Sequence, residues 1–118
     1  MGTSLVLAQA MSADNAKVAR AKADLTTLAI SIRQFRIDCD RYPTQSEGLK
    51  ALVMEPAKLI TWRGPYLSRP LIMDPWGHPY RYKAVTQNGH SGFQVISYGA
   101  DGKPGGTGAN ADLVDGQK

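Results

Sequence analysis

The sequence predicts an α+β fold in which one long N-terminal helix packs on a small antiparallel sheet, and three observations carry that prediction. Residues 12–40 contain no Gly or Pro and are rich in Ala, Lys, Arg and Leu. A strand pattern rich in aromatic and β-branched residues appears only after Pro79, split by the turn pair Asn88-Gly89. From Gly99 onward glycine dominates and core-forming side chains become scarce. At 118 residues and 42% hydrophobic content, the chain is one domain long enough to close a core without staples. A single cysteine excludes an intrachain disulfide, and Cys39, His78 and His90 do not fall at zinc-motif spacing. The net charge of +4 is spread along the chain, not gathered into the basic stripe of a nucleic-acid binder.

The helix comes first. Val18, Ala21, Leu25, Leu28, Ile32, Phe35 and Cys39 alternate three and four apart, and Ile30 and Ile37 are expected to widen the stripe on one flank. About 28 residues at 1.5 Å each give about 40 Å, longer than this domain needs for its own core. The N-terminal end therefore projects, and its free part either frays in solvent or packs against other subunits. Met1-Gly2-Thr3-Ser4 reads as an appended remnant, which sets residues 1–12 apart from a domain at 13–118. Leu5-Val6-Leu7-Ala8 is far short of the roughly 18 apolar residues of a membrane span. The expectation is a soluble chain.

Pro43 ends the helix, and Thr44-Gln45-Ser46-Glu47 has the capping-box pattern that opens a second, short one with Leu49, Leu52 and Val53 on its apolar face. Between Lys58 and Pro79, four prolines with Gly64 and Gly77 forbid long regular elements. Trp62, Tyr66, Leu71, Ile72 and Trp76 are read as buried anchors of that loop. A hairpin follows: Tyr80-Arg81-Tyr82-Lys83, the Asn88-Gly89 turn, then Phe93 to Tyr98, with Tyr80 and Tyr82 facing the helix.

The segment Asp101 to Asp112 is the one that invites chemistry. Two carboxylates and the Asn110 amide lie in a glycine-rich loop, the kind of backbone that can turn carbonyls toward a hard cation such as Ca²⁺. Asp101, Gly106 and Asp112 stand at positions one, six and twelve of an EF-hand. Lys103 and Gly105 occupy positions three and five, however, and no helix flanks the loop, which excludes that motif. A calcium loop built on more carbonyls and fewer side chains stays open, beside a flexible loop with two solvated aspartates. No Gly-Lys-Ser/Thr follows at phosphate-loop spacing. His78, His90 and Ser97 are raw material for acid–base or nucleophilic work but stand in no recognisable catalytic context, so no catalytic residue is assigned. Cys39, on the apolar stripe, reads as an inert small hydrophobe.

Several stretches in order then resemble one family. They are Arg41-Tyr42-Pro43-Thr44, Glu47-Gly48-Leu49 and Ala51-Leu52, Trp62 with Gly64-Pro65-Tyr66-Leu67, Asp74-Pro75-Trp76-Gly77 with Pro79-Tyr80, Ser97-Tyr98-Gly99-Ala100-Asp101-Gly102, Gly105-Gly106 and Ala111-Asp112. Over about residues 20–113 this order is similar to the major pseudopilin of the type II secretion system, a type IV pilin-like protein. The chain departs from the family at Asp38-Cys39-Asp40, where an Asn-Gly turn is more usual.

The resemblance implies a non-enzymatic structural subunit of a periplasmic pseudopilus that helps push folded exoproteins through the outer membrane. It implies an inner-membrane anchor at the start of the family's helix, cleaved and N-methylated, which residues 1–12 do not resemble. Implied partners are other copies of the chain, minor pseudopilins and the inner-membrane assembly platform. The chain as it stands is expected to be monomeric in dilute solution. The resemblance also implies a Ca²⁺ cofactor in the late loop, with Asp101 and Asp112 as side-chain ligands and the carbonyls of Tyr98, Lys103 and Gly106 as further donors. Where the family often carries more acid before the final Asp this chain has Gly108-Ala109-Asn110, so either Asn110 donates its amide oxygen or the site binds more weakly. A type IV pilin for adhesion or motility is the alternative within the superfamily. Many of those close a C-terminal loop with a disulfide, which Cys39 alone cannot form. A small hydrolase using His78 or His90 is the alternative from another class.

Overall fold

The computed structural model describes residues 2–69 and 73–116, with side chains from residue 14. The first element is a helix, α1 (Gly2–Cys39), unbroken across the boundary that the sequence suggested after residue 12. Absence of Gly and Pro after its first residue accounts for its continuity. It stops at Asp40, which adopts φ 59° and donates its N–H to the Arg36 carbonyl at 2.8 Å. An Asp in this left-handed position tolerates the turn better than a branched residue would.

Leu25, Leu28, Ala29, Ile32 and Phe35 form the buried face of α1. They pack with Leu52, Leu67, Tyr80, Tyr82, Phe93 and Val95 in one core, and Cys39 lies at its margin. Ile30 and Ile37 do not widen that face; they are 50% and 81% exposed. At about 100° per residue, Ile30 lies roughly 160° around the helix from Ile32, so the two isoleucines sit on the back of α1.

The expected capping box is formed. Glu47 N–H donates to Thr44 Oγ1 at 3.2 Å and Thr44 N–H to Glu47 Oε1 at 2.9 Å. The element it introduces is a five-residue 3₁₀ helix, Gly48–Leu52, closed by Pro56 soon afterwards. In the following loop Trp62 and Tyr66 pack against the core edge, with Trp62 Nε1 donating to the Ala51 carbonyl at 2.8 Å. Trp76 is half-buried, and Leu71 and Ile72 lie outside the described residues.

The sheet has three antiparallel strands in sequential order, β1 (Arg81–Gln87), β2 (His90–Ser97) and β3 (Leu113–Gly116). Asn88 at φ 53° and Gly89 at φ 78° make the two-residue turn between β1 and β2, the primed geometry that suits the strand twist. Arg81 pairs with Ile96 and Gln87 with His90, while Ser97 pairs with Leu113 across β2 and β3. Tyr82 opposes Val95, so both meet α1 from one face. Tyr80 precedes β1 and reaches the helix through its hydroxyl, which donates to Asp24 at 2.7 Å. The free edge of β1 is partly covered by the Gln45 amide, which donates to the Tyr82 carbonyl and accepts from Ala84 N–H, each at 2.8 Å. β3 was not expected. It brings the chain back after the glycine loop and lays Asp115 beside Thr26 of α1.

Candidate functional site

The glycine loop spans residues 98–112 and leaves from the end of β2 to return into β3. Gly99 is buried with φ 80°, and a Cβ there would fall 2.7 Å from the Ala109 carbonyl oxygen and 2.8 Å from that of Ala111. Only glycine lets the returning limb lie this close. Ala100 N–H, donating to the Ala109 carbonyl at 2.8 Å, closes the mouth.

Within the loop the two aspartates hold backbone N–H groups. Asp101 Oδ1 accepts from Lys103 N–H at 3.1 Å, and the Asp112 carboxylate accepts from Gly105 N–H at 3.0 and 3.1 Å. Asp112 thus ties the far end of the loop to its middle. Gly106 is exposed with φ 93° and faces the Asn110 carbonyl. Asn110 ends a 3₁₀ turn, Gly108–Asn110, and Lys103 is exposed. Tyr98 is half-buried, with the Arg81 guanidinium 5.7 Å from its ring centroid. The six residues expected at a metal site therefore belong to one folded loop.

Among the described residues no group of three or more His, Cys, Asp or Glu side chains converges. A cation in the loop would have to take most of its donors from carbonyls. Those donors, with the two carboxylates, are oxygen throughout, which is the set a hard cation accepts and a zinc or copper ion does not favour. The loop thus fits such an ion in the chemistry of its donors.

A second constellation, whose members the sequence does not connect, lies beneath the loop. Asp74-Pro75-Trp76-Gly77 is a turn with Asp first, Pro second and Gly fourth, and Gly77 N–H donates to the Asp74 carbonyl at 3.0 Å. Asp74 is 5% exposed. Its Oδ1 accepts from Trp76 N–H at 3.0 Å and His78 N–H at 2.9 Å, and its Oδ2 accepts from the buried Ser97 hydroxyl at 2.8 Å. Ser97 Oγ in turn accepts from Gly99 N–H at 3.2 Å. The His78 ring lies against Gly102, and its Nε2 is 3.2 Å from the Ala100 carbonyl. The turn signature was legible; its connection to Ser97, 23 residues away, was not.

Ser, His and Asp thus meet in one place, but their wiring is not that of a nucleophilic triad. Ser97 donates to the carboxylate and the imidazole reaches a backbone carbonyl, so no imidazole is bonded to the hydroxyl as a nucleophilic triad requires. His90 is exposed at the start of β2. Nearby, burial and then the hydrogen bond to Asp24 raise the Tyr80 phenol well above its ordinary range, so it stays a neutral donor.

A long helix across a three-stranded antiparallel sheet, with a glycine loop joining the last two strands, defines a pilin-like α+β protein. The comparisons narrow this. The family described as Type II secretion system (T2SS), protein G matches residues 9–116. The type II secretion system core protein G of Pseudomonas aeruginosa is 39% identical over 113 residues, covering 92% of this chain and 78% of that protein. Its counterpart in Xanthomonas campestris is 38% identical over 101 residues, covering 86% and 67%. The crystal structure of the major pseudopilin from the type 2 secretion system of enterohaemorrhagic Escherichia coli superposes with a TM-score of 0.64 at 32% identity, covering 88% of this chain and 90% of that one. The chain belongs to this family, the major pseudopilins of the type II secretion system.

Proposed function

We propose that the chain is the structural repeat unit of a periplasmic pseudopilus, a non-enzymatic subunit whose polymer helps move folded exoproteins across the outer membrane, and that Ca²⁺ stabilises its glycine loop. Family membership over residues 9–116 is the observation that supports the filament role. In this reading it assembles with copies of itself, with minor pseudopilins and with the inner-membrane platform, and its full-length form is anchored in the inner membrane by the start of the helix. Among the described residues no helix is long and apolar enough to cross a membrane.

The calcium reading is supported by the loop's own chemistry. Asp101 and Asp112 would hold the ion by side chain, the carbonyls of Tyr98, Lys103 and Gly106 would complete the donor set, and Asn110 would add its amide oxygen. A bound ion supplies the charge that draws these oxygens together. The loop buries little apolar surface with which to offset the cost of ordering it, about 1–2 kcal/mol per residue of backbone. An ion that binds only the folded loop stabilises by about 2.7 kcal/mol at a hundredfold excess over Kd.

The test joins both halves. The periplasmic part, grafted onto the anchor of a relative and expressed in a strain lacking its own major pseudopilin, should restore secretion, and Asp101→Ala or Asp112→Ala should abolish it. Calorimetry of the purified chain should show a melting temperature that falls with EDTA in the wild type and not in those variants. A wild-type melt indifferent to EDTA removes calcium from the account, and failure to restore secretion with a stable, exported protein removes the filament role.

A further inference from the structure

We propose that Asp74, Ser97 and His78 are positioning residues for the calcium loop, acting through backbone they hold in place and not as ligands. The inference rests on the calcium reading above. Two struts run from the Asp74 turn to the outgoing limb of the loop. In the first, the Asp74 carboxylate is oriented by Trp76 N–H and His78 N–H, accepts the Ser97 hydroxyl proton at 2.8 Å, and so leaves Ser97 Oγ facing Gly99 N–H. This fixes the residue whose missing side chain admits the Ala109 and Ala111 carbonyls. In the second, the His78 ring is pressed against Gly102, where a Cβ would lie 2.8 Å from the imidazole, and Nε2 meets the Ala100 carbonyl. Gly99, Ala100 and Gly102, which flank Asp101, are thereby held from below.

The chemistry explains why a carboxylate is used here. Asp74 is buried, and a buried charge is tolerated only when its oxygens are satisfied, as three donors satisfy it. Such a group is stiff. Ser97 is fully buried and can turn its hydroxyl proton only toward Asp74, because Gly99 N–H already occupies its acceptor side. Outer groups that orient the direct donors of a metal typically carry a 10–100-fold share of its affinity.

The experiment is calcium titration by isothermal calorimetry on the EDTA-stripped, dialysed chain, with near-ultraviolet circular dichroism confirming that each protein is folded. Ser97→Ala cuts the first strut with little change in volume. His78→Ala removes the second from a half-buried turn position, where folding is not threatened. Each should weaken calcium binding about tenfold, and Asp112→Ala should abolish it. Because binding is read on folded protein, a merely general loss of stability leaves Kd unmoved. A wild-type Kd in folded Ser97→Ala overturns the inference; should that variant not fold, a wild-type Kd in His78→Ala does so. No calcium binding by the wild type overturns the calcium reading itself, a result distinct from calcium binding that ignores both struts.

Discussion

Ile32 and Tyr82 show what single side chains contribute here. Ile32 is fully buried between Leu28 and Phe35 on the core face of α1. Ile32→Asp would bury a carboxylate with no partner among those neighbours, a cost of several kcal/mol against the 5–15 kcal/mol that holds a typical domain. The expected outcome is an unfolded protein by circular dichroism; a wild-type melting temperature would mean that another face of the helix is buried. Tyr82 donates its hydroxyl to the Pro43 carbonyl at 2.6 Å, tying the sheet to the end of the helix. Burial pushes this phenol up to about 12, and burial does the same for Tyr66, whose hydroxyl donates to Asp38. A phenol ordinarily ionises near pH 10. The stability these groups contribute is therefore complete below pH 10 and lost as pH rises from about 10 toward 12. Chemical denaturation across pH 8–11.5 should show that loss, and Tyr82→Phe should lower stability by about 1 kcal/mol at pH 8 while flattening the alkaline decline.

Among the elements, the 3₁₀ helix Gly48–Leu52 depends on the reciprocal Thr44–Glu47 cap, and Glu47 has a second partner. Arg41 pairs with it through two hydrogen bonds of 2.7 and 3.0 Å. That pairing holds the Glu47 carboxyl below its usual range, with the Thr44 N–H adding to it. A depressed carboxylate stabilises above its ordinary value near 4.3 and loses that effect as pH falls through the folded value. Glu47→Gln keeps an acceptor for Thr44 N–H and loses the ion pair. Since both side chains are partly exposed, at 39% and 21%, the cost at pH 7 should stay under about 1 kcal/mol. It should shrink as the pH is lowered past 4, and urea midpoints at pH 7 and pH 3 measure it. A persistent difference at pH 3 would show that the amide disturbs the cap itself. The glycine loop hinges on Gly99, where Gly99→Ala meets backbone carbonyls and a left-handed φ together. The two limbs should part, seen as faster hydrogen exchange at Ala100 N–H with β1 and β2 unchanged.

On the scale of the whole molecule, the shape is set by α1. Its 38 residues give about 57 Å at 1.5 Å each, and the molecule measures 62 × 32 × 18 Å. The radius of gyration is 16.6 Å, against about 13.5 Å for a compact domain of this length. Among the residues of α1 whose side chains are described, the stretch from Ala21 to Cys39 is the part that lies on the core. Among the described side chains, the exposed large apolar ones are dispersed, Ile30 and Ile37 on the back of α1 and Met54, Ile60 and Met73 in loops. The chain should therefore be an elongated monomer at micromolar concentration. Light scattering that finds a stable oligomer would show that these residues already form an interface.

The elements that local rules govern could be read from the residues in order. The helix followed from a stretch without Gly or Pro, its buried stripe from spacing, the cap from Thr44 and Glu47, and the hairpin turn from Asn88-Gly89, because each depends on neighbours within one or two turns of chain. Ile30 and Ile37 were misread because hydrophobicity alone does not say where a stripe ends; only the width of the sheet opposite decides that. β3 escaped because Leu113–Gly116 has strand character only when β2 offers it an edge. Asp101 and Asp112 could be picked out by type, whereas the clasp of Asp74, Ser97 and His78 under their loop joins residues far apart in sequence. Its parts are ordinary turn and strand residues until the fold of the chain sets the buried carboxylate against the buried hydroxyl, and contacts of that kind are decided by tertiary packing and not by local sequence.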